Sequence, residues 1–464
     1  PAMSDNIHII GSALRRRTVT KAWTVDPMQP EHRGKIHVRR KRAAPSSPVW
    51  WAFAFAAIVF PLGLLSHYLG WRGNIVGTLI HHSRGARKNN ADGDERSAYR
   101  PKYNGEAVLG YDIYDCPAAI PPHYPQTWKS TEILTNWNPN DVTTISPAQH
   151  REVYQGLCVF DYETQYDIAK TYRDADVPFV LRGDPKVLAV SKRWSDPNHL
   201  TGNLSNQMIY TERSPTNHIM FYRIDPESDV DGWTRPPNDI VMMSFEEWLD
   251  LALQREATVL DDKEIMSQVI ELRKRYLELR EMDGGVVTNR APPEDDVVEI
   301  AADLDTQKEK LTKWYYLRLN GWVEDANDKR IDKFLFDEIQ FFDPRKPDSS
   351  EFYLLPPEKQ NGINCRFGMR GIIADAHYDD TRNMIALLEG ERRYIIGHPN
   401  QCKNMALHPW GHPSARHSFD WANPAKWDVH PEFKEARLSE IVLEAGDVLY
   451  LPTSWFHYIV NLSK

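Results

Sequence analysis

The stretch GMRGIIADAHYDDTRNMIALLEGERRYIIGHP, residues 368–399, decides the fold of this chain. Short runs rich in Ile, Leu and Tyr alternate with Gly- and Asp-containing turns, and EIVLEAGDVLYLPTSWFHYIVNL, residues 440–462, continues the same pattern. Runs of five to nine such residues are typical of β-strands, and EGE and EAGD are typical of the turns between them. A series of short strands predicts a β-sandwich or barrel.

His377 and Asp379 lie two positions apart in this strand-like run. Residues two apart on a strand point to the same face, so the pair presents an imidazole and a carboxylate side by side. In a chain with 17 histidines the pair alone is weak evidence, and ordinary polar residues at the rim of a sheet are the alternative. His457, on a late strand, adds a third group. Two histidines and one carboxylate on one face form the facial triad that suits non-haem Fe(II) and O₂.

Two segments carry a resemblance to a known family: residues 368–402 and GDVLYLPTSWFHYIVNLS, residues 446–463. They resemble the Jumonji-C (JmjC) domain of Fe(II)/2-oxoglutarate oxygenases, and most of all the cupin-like branch that contains the hypoxia-factor asparaginyl hydroxylase. A weaker similarity reaches upstream through residues 175–200 and MMSFEEWLDLA, so that it covers roughly residues 155–464.

The resemblance implies a mainly β fold, a double-stranded β-helix (cupin or jelly-roll barrel) with flanking α-helices. It implies Fe(II) as cofactor, 2-oxoglutarate as cosubstrate and O₂ as oxidant, with His377, Asp379 and His457 as the metal ligands and catalytic residues. Arg392 matches the basic residue that holds the distal carboxylate of the cosubstrate. The branch usually has Lys there, and the neighbouring Arg393 is an alternative, as is a solvent-facing charge at either position.

Two further positions match the cosubstrate pocket of the family. Asn383 matches an asparagine that lines it, and Tyr316, or else Tyr315, matches a tyrosine. Two departures bear on activity. Ala374 replaces a hydrogen-bonding Thr of the branch, and the chain ends seven residues after His457, so the last core strand is expected to be missing and its edge open. The sequence also begins with Pro1, which is typical of a fragment.

A transmembrane anchor is predicted over residues 48–71, because residues 43–71 contain no Asp, Glu, Lys or Arg. A helix from Trp50 to Trp71 would rise about 31 Å, close to one hydrocarbon thickness. The preceding tail, residues 1–47, holds ten Lys/Arg against three acids, which favours a cytosolic N-terminus and a lumenal C-terminal domain in the endomembrane system. A buried core helix, a cleaved signal peptide and an organellar transit sequence are the alternatives.

The remaining chain divides by composition. Residues 72–130, rich in Gly, Asn and Pro, are predicted to be a stalk or linker, and residues 131–464 the JmjC/cupin-like domain, with a helical insertion at about 252–310. Ser244 and Glu247 predict the N-terminus of a helix in this region. The four cysteines are widely spaced and leave one or two disulfides possible.

The first functional hypothesis is a membrane-anchored Fe(II)/2-oxoglutarate oxygenase (a dioxygenase) that hydroxylates a protein or peptide side chain. A histone-lysine demethylase, an inactive JmjC-like scaffold or binding protein, and a cupin with another metal-dependent reaction are the alternatives. The net charge of −9 argues against nucleic acid as a partner. The predicted anchor implies the bilayer as a partner, and the resemblance implies a protein or peptide substrate. His408, His412, His417 and His430 are predicted to be surface histidines of a loop that shapes the substrate entrance, and a zinc site is the alternative.

Overall fold

The structure is a computed structural model of the chain. It describes residues 6–9, 99–103, 109–143, 152–204, 207–222, 236–260, 312–323, 330–331, 333–343, 346, 352–354, 362–410 and 412–464.

Eighteen strands occur among the described residues. They are β1 Asn6–Ile9, β2 Arg100–Pro101, β3 Trp128–Lys129, β4 Glu152–Val153, β5 Val159–Asp161, β6 Phe179–Arg182, β7 Met208–Ser214, β8 His218–Ile219, β9 Asp239–Ser244, β10 Trp314–Val323, β11 Arg330–Ile331, β12 Gly362–Gly368, β13 Ile373–Tyr378, β14 Asn383–Ala386, β15 Glu391–Gly397, β16 Arg437–Glu444, β17 Val448–Leu451 and β18 Phe456–Asn461.

Seven α-helices flank these strands in the described part of the chain. They are α1 Ser130–Asn136, α2 Tyr166–Asp174, α3 Pro185–Trp194, α4 Pro197–Leu204, α5 Phe245–Leu260, α6 Lys333–Glu338 and α7 Pro424–Val429. Short 3₁₀ turns cover Pro139–Thr143, Gln340–Phe342, Pro399–Asn404 and Pro431–Glu435.

The strands form two main sheets. The larger has the order β5-β6-β17-β14-β1-β12-β10-β7-β9, with β11 beside β10, and the smaller has the order β3-β16-β15-β18-β13-β8. From β12 to β18 the chain passes repeatedly between the two sheets, and β12, β14 and β17 lie in the larger one. This is a cupin-like β-sandwich with flanking helices, as the pattern of short strands predicts.

Local sequence explains the strand ends around the site. Gly390 and Gly446 adopt φ of 76° and 100° in the turns before β15 and β17, a region that only glycine occupies without strain. Strands β14, β15, β17 and β18 are buried over almost their whole length. The two predicted turns, EGE and EAGD, are thereby confirmed.

Residues 99–103 and 109–130 pack against the β domain, whereas residues 72–130 are predicted to be a linker. Cys116 forms a disulfide with Cys158, Ile113 is buried, and the Tyr111 hydroxyl donates to the carbonyl of Gly156. The folded domain therefore begins before residue 131. Proline-rich composition predicts a linker, but these contacts are to residues distant in sequence.

Helix α5 begins as predicted, because the backbone N–H of Glu247 donates to Oγ of Ser244 at 3.1 Å. The predicted insertion, residues 252–310, includes the end of this helix and otherwise lies outside the described residues.

Strand β1 lies between β12 and β14 and runs parallel to both. The missing last core strand and its open edge stay a prediction. Among the helices that the structure describes, none has the length and apolar character needed to cross a bilayer. The predicted anchor, residues 48–71, lies outside the described residues.

Candidate metal centre and cosubstrate pocket

Two predicted metal ligands face each other across neighbouring strands. His377 on β13 lies directly opposite His457 on β18 in the antiparallel pairing. The register shifts between Ala374 and His377, which is a β-bulge, and bulges next to active sites re-aim side chains. As a result the two Nε2 atoms lie 3.0 Å apart.

The backbone fixes the tautomer of both histidines. Nδ1 of His377 donates to the carbonyl of Asp375 at 2.6 Å, and Nδ1 of His457 donates to the carbonyl of Trp455 at 3.0 Å. With Nδ1 protonated, the lone pair of each neutral imidazole is on Nε2. This orientation is the one that metal-ligating histidines use.

Asp379 completes the group from the turn that follows β13. Its Oδ2 lies 3.8 Å from Nε2 of His457 and accepts a hydrogen bond from Nδ2 of Asn383 at 2.8 Å. All three side chains are buried, with His457 only 1% exposed. Asn383 therefore holds the carboxylate in place, a contact that the sequence comparison alone did not predict.

The three groups fit an iron site. One ligand atom of each lies within 4.8 Å of the others. Two nitrogens about 2.1 Å from one metal and at right angles are about 3.0 Å apart, which matches the measured Nε2–Nε2 distance. Two histidines and one carboxylate leave positions for other ligands, as non-haem Fe(II) oxygenases require.

The interior beside this group contains Arg392. Arg392 is buried, and its Nη1 has no hydrogen-bond partner among the described residues. Burial raises the pKa of the adjacent Tyr394 to about 12, and the Arg392 guanidinium acts to lower it. Oδ1 of Asn383 is also buried and unpartnered within the described part of the chain. Unsatisfied buried donors are costly, so a cationic pocket of this kind fits an anionic ligand such as 2-oxoglutarate.

Arg393 lies on the other face of β15 and is paired with a buried carboxylate. Its guanidinium forms an ion pair with Glu440, in which Nε lies 2.6 Å from Oε2, and both side chains are 0% exposed. Nη1 donates to the carbonyl of Trp137 at 2.7 Å. Arg393 is therefore not available to a cosubstrate, and the structure favours Arg392 over it. Neither arginine is a solvent-facing charge.

Tyr316 and Tyr315 occupy opposite faces of β10. Tyr316 pairs with Gly368, and a Cβ at Gly368 would lie 3.2 Å from the Tyr316 ring and 1.7 Å from Nδ2 of Asn461. Asn461 in turn lies opposite Arg392. Tyr316 therefore lies on the same interior face as Arg392, and both tyrosines are buried. The role of Tyr316 in cosubstrate binding stays a prediction.

Ala374 lies on β13 between Ile459 of β18 and Ile219 of β8. Its methyl group is buried and cannot make the hydrogen bond that the Thr of the branch makes at this position.

His417 is a residue of the site that sequence reasoning missed. Predicted to be a surface histidine, it is buried and stacks on His377, with ring centroids 5.0 Å apart and planes 14° apart. Burial and the neighbouring His377 hold its pKa well below the usual value, so it is neutral. The antiparallel contact of its backbone with His377 depends on the fold and leaves no local signal in the sequence.

A second group of charged residues lies beside β13 and consists of His218, Asp375 and Asp420. Nδ1 of His218 lies 2.7 Å from Oδ1 of Asp375, and its Nε2 lies 3.6 Å from Oδ2 of Asp420. Burial lowers the pKa of His218, but the two carboxylates outweigh this effect and raise it to about 9. His218 is therefore an imidazolium that links two carboxylates.

Comparison with known proteins agrees with this fold and site. Residues 166–464 match the family described as the Cupin-like domain. The chain is 31% identical over 156 residues to tRNA wybutosine-synthesizing protein 5 of Danio rerio, over 32% of this chain and 42% of that protein. It is 29% identical over 107 residues to JmjC domain-containing protein D of Dictyostelium discoideum, over 22% of this chain and 23% of that one. It is 31% identical over 104 residues to Lysine-specific demethylase 8 of Xenopus tropicalis, over 22% of this chain and 23% of that protein.

The fold and the buried His-Asp-His group define a cupin of the metal-binding kind. The chain belongs to the cupin-like family, and its relatives include JmjC domain proteins. It spans 42% of the length of the first relative and 23% of the other two. The predicted cupin-like, JmjC-related family is confirmed. The asparaginyl-hydroxylase branch stays a prediction.

Proposed function

We propose that this chain is an Fe(II)/2-oxoglutarate-dependent oxygenase that hydroxylates a side chain of a protein or peptide. The observation that carries the proposal is the buried group formed by His377, Asp379 and His457, whose two imidazole Nε2 atoms converge at 3.0 Å. When bound, iron and cosubstrate would supply the oxidative chemistry: O₂ and 2-oxoglutarate would be converted to succinate and CO₂, with one oxygen atom left for a C–H bond of the substrate.

The protein residues have three tasks in this proposal. His377, Asp379 and His457 hold the metal, and Asn383 orients the aspartate through its hydrogen bond. Arg392 and Tyr316 hold the distal carboxylate of the cosubstrate. The guanidinium has N–H donors for two carboxylate oxygens where Lys has a point charge, so Arg392 grips in a different geometry from the Lys of the branch. The buried walls exclude water.

The proposal also specifies the reaction, hydroxylation, and the class of substrate, a protein or peptide. The resemblance of residues 368–402 to the hydroxylase branch supports it over lysine demethylation. One relative carries tRNA in its name and another lysine demethylation, so both are alternative substrates to test. The net charge of −9 supports a protein substrate, because it provides no chain-wide attraction for phosphates.

Succinate release tests the proposal. The domain is supplied with Fe(II), ascorbate, O₂ and 2-oxoglutarate, and succinate is measured for the wild type and for His377→Ala. We expect turnover by the wild type and at least a hundredfold loss in the variant, because a metal ligand is removed. Equal turnover by both proteins would contradict the ligand assignment.

A non-catalytic scaffold is the second candidate, and Ala374 favours it, because its methyl group replaces a hydrogen bond to the cosubstrate. A folded protein that binds Fe(II) with one ion per chain but releases no succinate would support the scaffold. With an active protein, a mass gain of 16 Da on peptides supports hydroxylation, and formaldehyde release from methyl-lysine peptides supports demethylation.

A further inference from the structure

Arg366 on β12 is a guanidinium with no exposed surface and an incomplete set of partners. Its Nη1 donates to Oδ1 of Asn320 at 2.6 Å and to the carbonyl of Cys365 at 2.9 Å. Its Nε and Nη2 are buried and have no hydrogen-bond partner among the residues that the structure describes. Buried donors of a charged group that lack a hydrogen-bond acceptor cost free energy, and a bound ligand with acceptor atoms would satisfy them.

The neighbouring charges do not neutralise Arg366. Arg318 lies opposite it on β10, and Nη2 of Arg318 binds Oε1 of Glu212 at 2.5 Å. The other oxygen of Glu212 has no hydrogen-bond partner in the described part of the chain, so it does not pair with Arg366. The one carboxylate beside these two guanidiniums is therefore paired with Arg318 and not with Arg366. Burial and the nearby Arg318 lower the pKa of Arg366 to about 10, which leaves it charged at neutral pH.

Strand geometry places this charge on the interior face. Arg366 and Gly368 are two apart on β12 and point to the same side, where Gly368 meets Tyr316 and Asn461. Asn461 lies opposite Arg392. The Tyr316 phenol acts on the pKa of Arg366 and also on that of Tyr394, the neighbour of Arg392. Arg366 and Arg392 therefore both lie near Tyr316, and both have donors without a hydrogen-bond partner among the described residues.

We propose that Arg366 and Arg392 form one oxyanion site, the guanidinium pair, that holds the distal carboxylate of the cosubstrate beside Tyr316. A carboxylate has two oxygens and about four lone pairs, enough for donors from two guanidiniums. This inference rests on the proposed function, but binding of the anion does not require the metal. The site therefore also takes inorganic oxyanions and succinate in the metal-free protein.

The test is thermal unfolding of the metal-free protein with and without sulfate or succinate, together with their dissociation constants from calorimetry. We expect Arg366→Met to weaken succinate binding about ten- to hundredfold, because two charge-assisted hydrogen bonds are lost. Without anion, the same variant is expected to melt at a higher temperature than the wild type, because an uncompensated buried charge is removed.

Three variants make the result specific. Arg392→Met is expected to weaken succinate binding in the same range, and Arg366→Lys to keep part of the affinity. Arg213→Met is the matched control, since Arg213 on β7 pairs with Asp239 at the surface, and it should bind succinate like the wild type.

Three outcomes would overturn the inference. They are unchanged succinate binding by Arg366→Met, a lower melting temperature for that variant without anion, and the absence of any anion response in the wild type. If Arg366→Met does not fold, loss of all succinate affinity by Arg392→Met with an unaltered affinity in Arg366→Lys would also contradict it. Anion binding that depends on Arg366, in a protein that releases no succinate from 2-oxoglutarate, would support the guanidinium pair and refute the oxygenase.

Discussion

His218 links two structural elements that surround the metal ligands. Its two nitrogens approach Asp375, within the bulge of β13, and Asp420, in the segment that begins with His417. The carbonyl of Asp375 fixes the tautomer of His377, and His417 stacks on the same ring. The hydroxyl of Tyr458 on β18 also donates to Asp420 at 3.4 Å. The imidazolium of His218 thus stabilises the residues around His377 without contacting His377 itself.

The charge of His218 predicts a pH dependence of stability. Its pKa is about 9 in the folded protein and 6.5 as an ordinary value, so the folded state binds this proton more tightly. The stabilisation is complete below pH 6.5, falls as the pH rises through 9, and amounts to at most about 3 kcal/mol. Asp375, Asp420 and, through Asp420, Tyr458 are the titratable groups that face it.

Urea unfolding of the wild type and His218→Gln between pH 6 and 10 measures this effect. We expect the difference in unfolding free energy to be largest at pH 6 and to vanish near pH 10. Asp420→Asn, which leaves one carboxylate beside the imidazolium, should show a smaller change over the same range. A difference for His218→Gln that is constant across this range would refute the charged state.

The residues of the candidate metal site could be predicted from sequence because each lies in a short motif that is recognisable locally. His377 and Asp379 are two apart, and SWFHYIV is recognisable as a strand that carries His457. His417 and His218 could not be predicted, because burial and long-range pairing give them their roles. A histidine in a polar loop has the same local sequence whether it lies at the surface or stacks in a site.

Strand β15 shows how one element assigns opposite roles to two neighbouring residues. Arg392 and Arg393 are both buried and differ only in the face that they occupy. Strands buried on both faces read as continuous apolar runs, so the alternation that would reveal the inner face is absent from the sequence. Pairing of β15 with β16 resolves the choice, because it brings Arg393 to Glu440.

The two arginines of β15 are therefore a matched pair of variants. Arg393→Met leaves Glu440 buried without its partner and is expected to cost about 3–5 kcal/mol of unfolding free energy. Arg392→Met breaks no ion pair and should change the unfolding free energy by less than about 1 kcal/mol while weakening the binding of 2-oxoglutarate. Denaturation and calorimetry measure the two effects. The reverse pattern would show that the assignment of faces is wrong.

At the scale of the whole molecule, the β domain includes more of the chain than composition predicts. The Cys116–Cys158 disulfide and the hydrogen bond from Tyr99 to Glu391 attach residues before 131 to the sandwich. The strands from β12 to β18 were predictable from their apolar runs and turns, whereas these attachments were not, since proline-rich segments have no periodicity. The position of β1 between β12 and β14 was likewise not predictable.

The anchor over residues 48–71 and its topology stay predictions. If they hold, the cupin-like domain is lumenal and the basic tail, residues 1–47, faces the cytosol. Protease treatment of sealed vesicles that carry the full chain tests this topology. We expect the domain to resist digestion until detergent is added, and the tail to be removed at once. Digestion of the domain in intact vesicles would contradict it.

The central claim is that the buried triad supports oxidation of 2-oxoglutarate by O₂. The most direct measurement is succinate mass after turnover under ¹⁸O₂, with the wild type and His377→Ala compared at equal protein and Fe(II). We predict one ¹⁸O atom in each succinate released by the wild type and at least a hundredfold less labelled succinate from the variant. Unlabelled succinate from the wild type, or labelled succinate at the same rate from the variant, would contradict the account.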